Sequence, residues 1–204
     1  MKKNLLWMLA AILLCGAMTT SCSKDDDDDN NAQTPDKPNV ETKYDFELNF
    51  IAQPKSLLYF EYDFKYVDAN GNTKTIDIDQ NTTSASLGTL AQNPSYKAVI
   101  SAIASIEGYA DMQNPFIYRV TLKDQPVGKT ISYTTTCHVK ENATITETLQ
   151  YAWPSVLVVK TTDTSVFSNF NFKTWKITPD KWESYIPTID GKTISNATDE
   201  IVVK

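Results

Sequence analysis

Two early stretches alternate apolar and polar residues with a period of two, and this pattern limits the fold more than any other feature of the chain. Tyr44, Phe46, Leu48 and Phe50 alternate with Asp45, Glu47 and Asn49. Leu58, Phe60, Tyr62, Phe64 and Tyr66 alternate with Glu61, Asp63 and Lys65, and Gln53-Pro54-Lys55 links the two stretches. Successive side chains of a strand point to opposite faces, so each stretch predicts a strand with one buried and one solvated face.

The same faces select the next turn. Asp68-Ala69-Asn70-Gly71-Asn72 separates the second stretch from an apolar-alternating run containing Ile76 and Ile78. A loop of Asn70-Gly71 alone would set Lys65 opposite Ile76 and mix the faces. A loop of Ala69-Asn70-Gly71 sets Phe64 opposite Ile76 and Tyr62 opposite Ile78. A sheet with a buried face enforces the second register, which predicts a type I turn with Gly71 in the left-handed conformation, a G1 bulge.

That register also puts Asp63 opposite Asp77 and Glu61 opposite Asp79 on the outer face. Like charges directly opposite one another destabilise a strand pair. Screening by Lys65 and another basic neighbour is the favoured resolution. A two-residue slip would instead pair Lys65 with Asp77 and Asp68 with Lys74. A third reading holds a hard cation such as calcium between Glu61, Asp63, Asp77 and Asp79.

Further along, Ile131, Tyr133, Cys137 and Val139 share one parity, as do Ala143, Ile145, Leu149 and Tyr151. A loop of Lys140-Glu141-Asn142, with Asn142 in the left-handed region, predicts a second hairpin. Thr130, Thr134, Thr136, Thr144, Thr146 and Thr148 fit its solvated face. Residues 116–122 and 155–160 are further strands. Residues 94–107 fit either period. Tyr96, Val99, Ile103, Ile106 and Ala110 follow helical spacing after an Asn93-Pro94 start, with Gly108 as a stop, while Tyr96, Ala98, Ile100, Ala102 and Ala104 alternate. The fold class expected is mainly β, an antiparallel β-sandwich (immunoglobulin-like or related), with one short helix near 94–107 as the slightly preferred reading there.

The net charge of −6 argues against nucleic acid, whose phosphates need a basic patch. The first residues carry Lys2 and Lys3, then an apolar run over 5–17. That run is short of the roughly 20 residues that span a bilayer as a helix, and it fits an export signal removed from the mature protein. Of the two cysteines near its end, Cys15 follows the bulky Leu14 and Cys22 follows the small Ser21.

Thr19-Thr20-Ser21-Cys22 resembles the lipobox of bacterial lipoproteins, with Thr19 where that family usually carries an aliphatic residue. The resemblance implies cleavage before Cys22 and lipid attachment to its sulfur and new amine, including a fatty-acyl chain such as palmitate. Several acyl chains hold a protein to a membrane where one would not. Ser23-Lys24-Asp25-Asp26-Asp27 resembles the acidic export signal of Bacteroidetes-type surface lipoproteins. It implies an outer-membrane location, lipid-anchored and facing the cell exterior. The organisation expected is a signal peptide over 1–21, a lipidated cysteine and acidic tether over 22–43, and one sandwich domain over 44–204. Residues 23–43 are too polar to offset the entropy of ordering them and predict a tether with a mean span of roughly 25 Å.

No cofactor is called for. Removing Cys15 and lipidating Cys22 leaves Cys137 as the one thiol, so no intrachain disulfide forms, and the expectation is a buried core cysteine. His138 is the single histidine, and its parity puts it on the outer face, opposite to that of Cys137. It has no second histidine for a metal set, and the chain lacks the G-x-S-x-G elbow, the P-loop and the dinucleotide fingerprint.

The remaining place for recognition chemistry is the aromatic run near the C-terminus. Phe167, Phe170, Phe172, Trp175, Trp182 and Tyr185 are interleaved with Asn169, Asn171, Lys173, Asp180 and Glu183. Aromatic faces cover the C–H faces of a sugar ring while amides and carboxylates take its hydroxyls. Trp175, Trp182, Tyr185, Phe170 and Phe172 are therefore candidate ligand-binding residues, beside the competing and favoured reading that the rings close the core. Trp182, between Pro179 and Pro187, is expected in a loop and is the best single candidate. The function that results is a non-catalytic extracellular binding domain on a surface lipoprotein, with a glycan as the favoured partner. An adhesion or assembly subunit binding other proteins is the alternative, and a glycoside hydrolase is a distant third.

Overall fold

The computed structural model describes residues 41–168, 172–193 and 201–204. Val40–Lys204 forms a single unit. It is mainly β, with antiparallel sheets and two short helices. The strands are β1 (Lys43–Ala52), β2 (Phe60–Val67), β3 (Thr73–Ile78), β4 (Phe116–Pro126), β5 (Thr130–Ile131), β6 (Tyr133–Val139), β7 (Leu149–Ala152), β8 (Ser155–Lys160), β9 (Thr174–Ile177), β10 (Lys192–Thr193) and β11 (Ile201–Val202). The helices are α1 (Pro94–Ala104) and α2 (Trp182–Ile189). Among the described residues, one sheet has the order β4-β1-β8 and a second the order β10-β6-β2-β3, with two small ladders, β5 with β11 and β7 with β9.

The chain alternates between the two sheets, and the alternating residues of the sequence become the layer between them. Phe46, Leu48 and Phe50 of β1 meet Phe60, Tyr62 and Phe64 of β2 in one core cluster. The Phe50 ring lies 5.3 Å from Tyr62 and 6.0 Å from Phe64. The β2–β3 hairpin has the expected register, Phe64 with Ile76 and Tyr62 with Ile78. Gly71 sits at φ +83, and Gly71 N–H donates to the Asp68 carbonyl at 3.0 Å. There is no slip, yet Lys74 still approaches Asp68 to 3.9 Å across the turn. Leu58 departs from the expected strand. It ends the 3-10 turn Pro54–Leu58 and is 59 % exposed.

The β4-β1-β8 sheet is covered on both faces, and this explains the unbroken apolar run of β8. Val156 and Val158 face the other sheet, while Leu157 and Val159 face a second cluster built with Tyr96, Ile100 and Ile103 of α1. A strand buried on both sides loses its alternation. Residues 94–107 thus resolve as a helix over Pro94–Ala104. Asn93 caps it, its side-chain oxygen accepting from Tyr96 N–H at 2.8 Å, and Pro94 takes the first helical position.

A polar group lies on the helix-facing side of the same sheet. Arg119, the one arginine of the chain, donates from Nε to Asn49 Oδ1 at 2.7 Å and lies 3.2 Å from Glu47. It also donates from Nη2 to the Ser86 and Leu87 carbonyls at 3.1 and 2.8 Å. Thr89 donates to Glu47. These bonds fasten residues 86–89 to the sheet, and pairing and hydrogen-bonding the half-buried guanidinium offset the cost of taking it partly out of water.

The second expected hairpin is not formed. Asn142 does adopt the left-handed conformation, at φ +63, and Ala143 N–H closes the turn on the Lys140 carbonyl at 3.0 Å. After the turn, however, β7 pairs with β9. Strand β6 is flanked by β2 and β10, and Asp190 accepts from Val139 N–H. Parity reported burial correctly, since Ile131, Tyr133, Cys137, Ile145, Leu149 and Tyr151 are all in the core. It carries no information on which strand lies alongside.

Candidate functional site

Three aromatic side chains meet where β7, β9 and α2 come together. Register sets Tyr151 of β7 opposite Trp175 of β9. The ladder runs one step further, with Trp153 N–H donating to the Lys173 carbonyl at 2.9 Å. The ring of Trp153 lies 5.4 Å from that of Trp175, tilted by 35°, and Trp175 lies 6.1 Å from Tyr185 of α2 in an edge contact. On the opposite side, Tyr109 O–H donates to the Trp175 carbonyl at 2.9 Å and holds β9 in place. Trp175 and Tyr185 are half-buried. Trp153 is 7 % exposed, and its Nε1 has no hydrogen-bond partner among the described residues.

Of the aromatics singled out in the sequence, the fold thus brings together Trp175 and Tyr185. Phe172 is half-buried against the second core cluster, on the α1 side. Phe170 lies outside the described residues, as does Cys22. Trp182 is not in a loop. Pro179 opens the 3-10 turn Pro179–Lys181, and Pro187 lies inside α2, so both prolines sit in helical turns. Trp182 is 4 % exposed, its ring is 6.0 Å from Phe60 and 6.4 Å from Tyr59, and its Nε1 donates to the Ala143 carbonyl at 3.0 Å. It closes one end of the core. Trp153 was not anticipated. The signal was available in the pattern Tyr151-Ala152-Trp153, which puts Trp153 on the same strand face as Tyr151.

The four carboxylates considered for a cation follow separate paths. Asp63 and Asp77 do face each other across β2 and β3. Asp79 leaves the strand. It accepts from Thr82 Oγ1 at 2.9 Å and from Asn81 N–H at 2.9 Å, and those bonds, that of Thr82 foremost, hold its carboxyl below the usual range. Glu61 is opposite His138. Among the described residues no three His, Cys, Asp or Glu side chains are grouped to hold a metal ion. The neighbour beside Asp63 is His138, whose Nε2 is 3.4 Å from Asp63 Oδ2 and whose Nδ1 is 3.9 Å from Asp190 Oδ1. Lys65, two positions along the strand, is opposite Thr75 and Thr134.

Cys137 is fully buried beneath this outer face. Its sulfur is 3.8 Å from the Tyr151 hydroxyl, which is 3.1 Å from the Tyr62 hydroxyl, which in turn is 3.4 Å from Ser56 Oγ. Burial pushes the Cys137 thiol up to about 12 and raises both tyrosines. A thiol held protonated in this way is no nucleophile.

No protein-family model, no curated protein and no solved structure matches this chain.

Proposed function

We propose that the protein is a lipid-anchored cell-surface lipoprotein of the outer membrane whose folded domain binds an extracellular glycan without catalysing its conversion. The observation that carries this reading is the ring pair Trp175 and Tyr185, partly exposed and backed by Trp153. A rigid aromatic surface costs little entropy to present and covers the apolar face of a sugar ring. The acidic stretch after Cys22 supports the surface location. The assembly alternative would use an open strand edge. β3 is such an edge among the described residues, but Lys74 and Asp77 guard it against pairing. A glycosidase would need two acids across a cleft, whereas Asp63 and Asp77 face each other on a flat strand pair.

The test is a glycan array probed with the mature chain, repeated with Trp175→Ala and Tyr185→Ala. Binding that falls at least about tenfold in either variant supports the reading. Absence of binding to every sugar, with protein partners recovered instead, overturns it. Intact-mass measurement of membrane-extracted protein checks the anchor separately, and a mature chain without fatty acid removes it.

A further inference from the structure

We propose that a recess at the 3-10 turn Pro54–Leu58, distinct from the aromatic patch, is a binding site for a neutral sugar residue. It has a volume of about 330 Å³, near the lower end of the roughly 300–1,000 Å³ of small-ligand sites. Its apolar lining is Pro54, Leu57, Leu58 and Phe116. Its polar groups are the amides of Gln80 and Asn114 and the hydroxyl of Ser84.

The chemistry of that lining narrows the ligand. No lining residue is charged, in a chain where 22 % of residues are. A phosphate or carboxylate would find no cation, and an ammonium group would find no carboxylate. Asp79, the acid next to Gln80, turns its oxygens to Asn81 and Thr82. Ser84 is fixed in place, accepting from Ile117 N–H at 3.0 Å. The side-chain amides of Gln80 and Asn114 are exposed, and among the described residues neither makes a hydrogen bond. Each offers both a donor and an acceptor. A wholly apolar ligand would strip water from these amides and return nothing. A ligand with one apolar face and hydroxyls that both donate and accept satisfies the apolar and the polar lining residues together, and a pyranose ring has that character.

The test uses the mature chain and ligand-observed saturation-transfer NMR with maltotriose, cellotriose and N,N′-diacetylchitobiose, beside glucuronate and glucosamine as charged counterparts. The backbone and side-chain amide resonances of Gln80 and Asn114 are followed in the unmodified protein. At least one neutral sugar is expected to bind and to shift those resonances. Asn114→Trp, which fills the recess, should abolish the shift of Gln80, and Gln80→Ala with Asn114→Ala should weaken binding at the recess by about tenfold. Trp175→Ala should leave the shift intact, so the aromatic patch and the recess succeed or fail separately. Absence of any shift, a larger shift with a charged sugar, or a Gln80 shift that survives Asn114→Trp would overturn the proposal.

Discussion

Trp182→Ala separates a core tryptophan from a ligand-stacking one. The side chain is 4 % exposed, packs on Phe60 and Tyr59, and gives its one donor to the Ala143 carbonyl. Truncating a buried tryptophan to alanine costs about 3–5 kcal/mol. Trp182→Phe keeps most of the packing, loses the hydrogen bond, and should cost about 1 kcal/mol. Trp175→Ala removes a ring that is already partly exposed and should cost roughly 1–2 kcal/mol. In a domain of this size 1 kcal/mol moves Tm by about 2–4 °C, so Trp182→Ala should lower it by roughly 6–20 °C. Urea unfolding followed by far-UV circular dichroism measures all three variants without relying on tryptophan fluorescence. A cost below about 1 kcal/mol for Trp182→Ala, together with loss of glycan binding by the folded variant, would refute the core assignment.

Other consequences are equally direct. Asn93→Ala removes the cap that Tyr96 N–H uses and a donor to the Thr164 carbonyl. It should cost about 1–2 kcal/mol in urea unfolding and speed hydrogen exchange in the first turn of α1. Gly88→Ala forces a side chain into a backbone at φ +50, with its Cβ driven against the Arg119 guanidinium. Because that guanidinium is pinned by Asn49, Ser86 and Leu87, the variant should lose about 1–3 kcal/mol and exchange faster over residues 86–92. Cys137 should resist thiol reagents until the domain unfolds. Burial in the folded core pushes its thiol up from its ordinary 9.0 to about 12. The unfolded chain therefore sheds its proton first, so this contribution to stability is complete below pH 9.0 and is lost as the pH climbs toward about 12. Urea midpoints against pH should fall in that window, and less steeply for Cys137→Val.

The parts of this fold that were legible in the sequence are those where one residue's neighbours decide its face. Phe64 opposite Ile76, and Gly71 closing the turn, followed from keeping apolar side chains on one side. The Asn93-Pro94 start of α1 followed from capping chemistry. Pairings made at long range were not legible. Nothing local distinguishes a β6 that folds back on residues 143–151 from one that lies beside β2 and β10, because both bury Cys137 and Tyr133. For the candidate site, type and region were readable but exposure was not. Trp175 and Trp182 look alike in sequence. Only the packing of α2 against Phe60 and Tyr59 buries one and leaves the other partly exposed, and although the Tyr151-Ala152-Trp153 pattern gives the face of Trp153, its β9 partner is not readable from that pattern.

The double covering of the β4-β1-β8 sheet gives the molecule a back and a front. Its back is roofed by α1 and by the segment that Arg119 clamps down. Its front, the outer side of β6, β2 and β3, is a hydrophilic carpet of threonine hydroxyls with Glu61, Asp63, Lys65, Asp77 and His138. That front offers a neighbouring molecule no broad apolar patch, so copies meeting face to face there should slide past one another, and selective contact falls to the rims where the strands end.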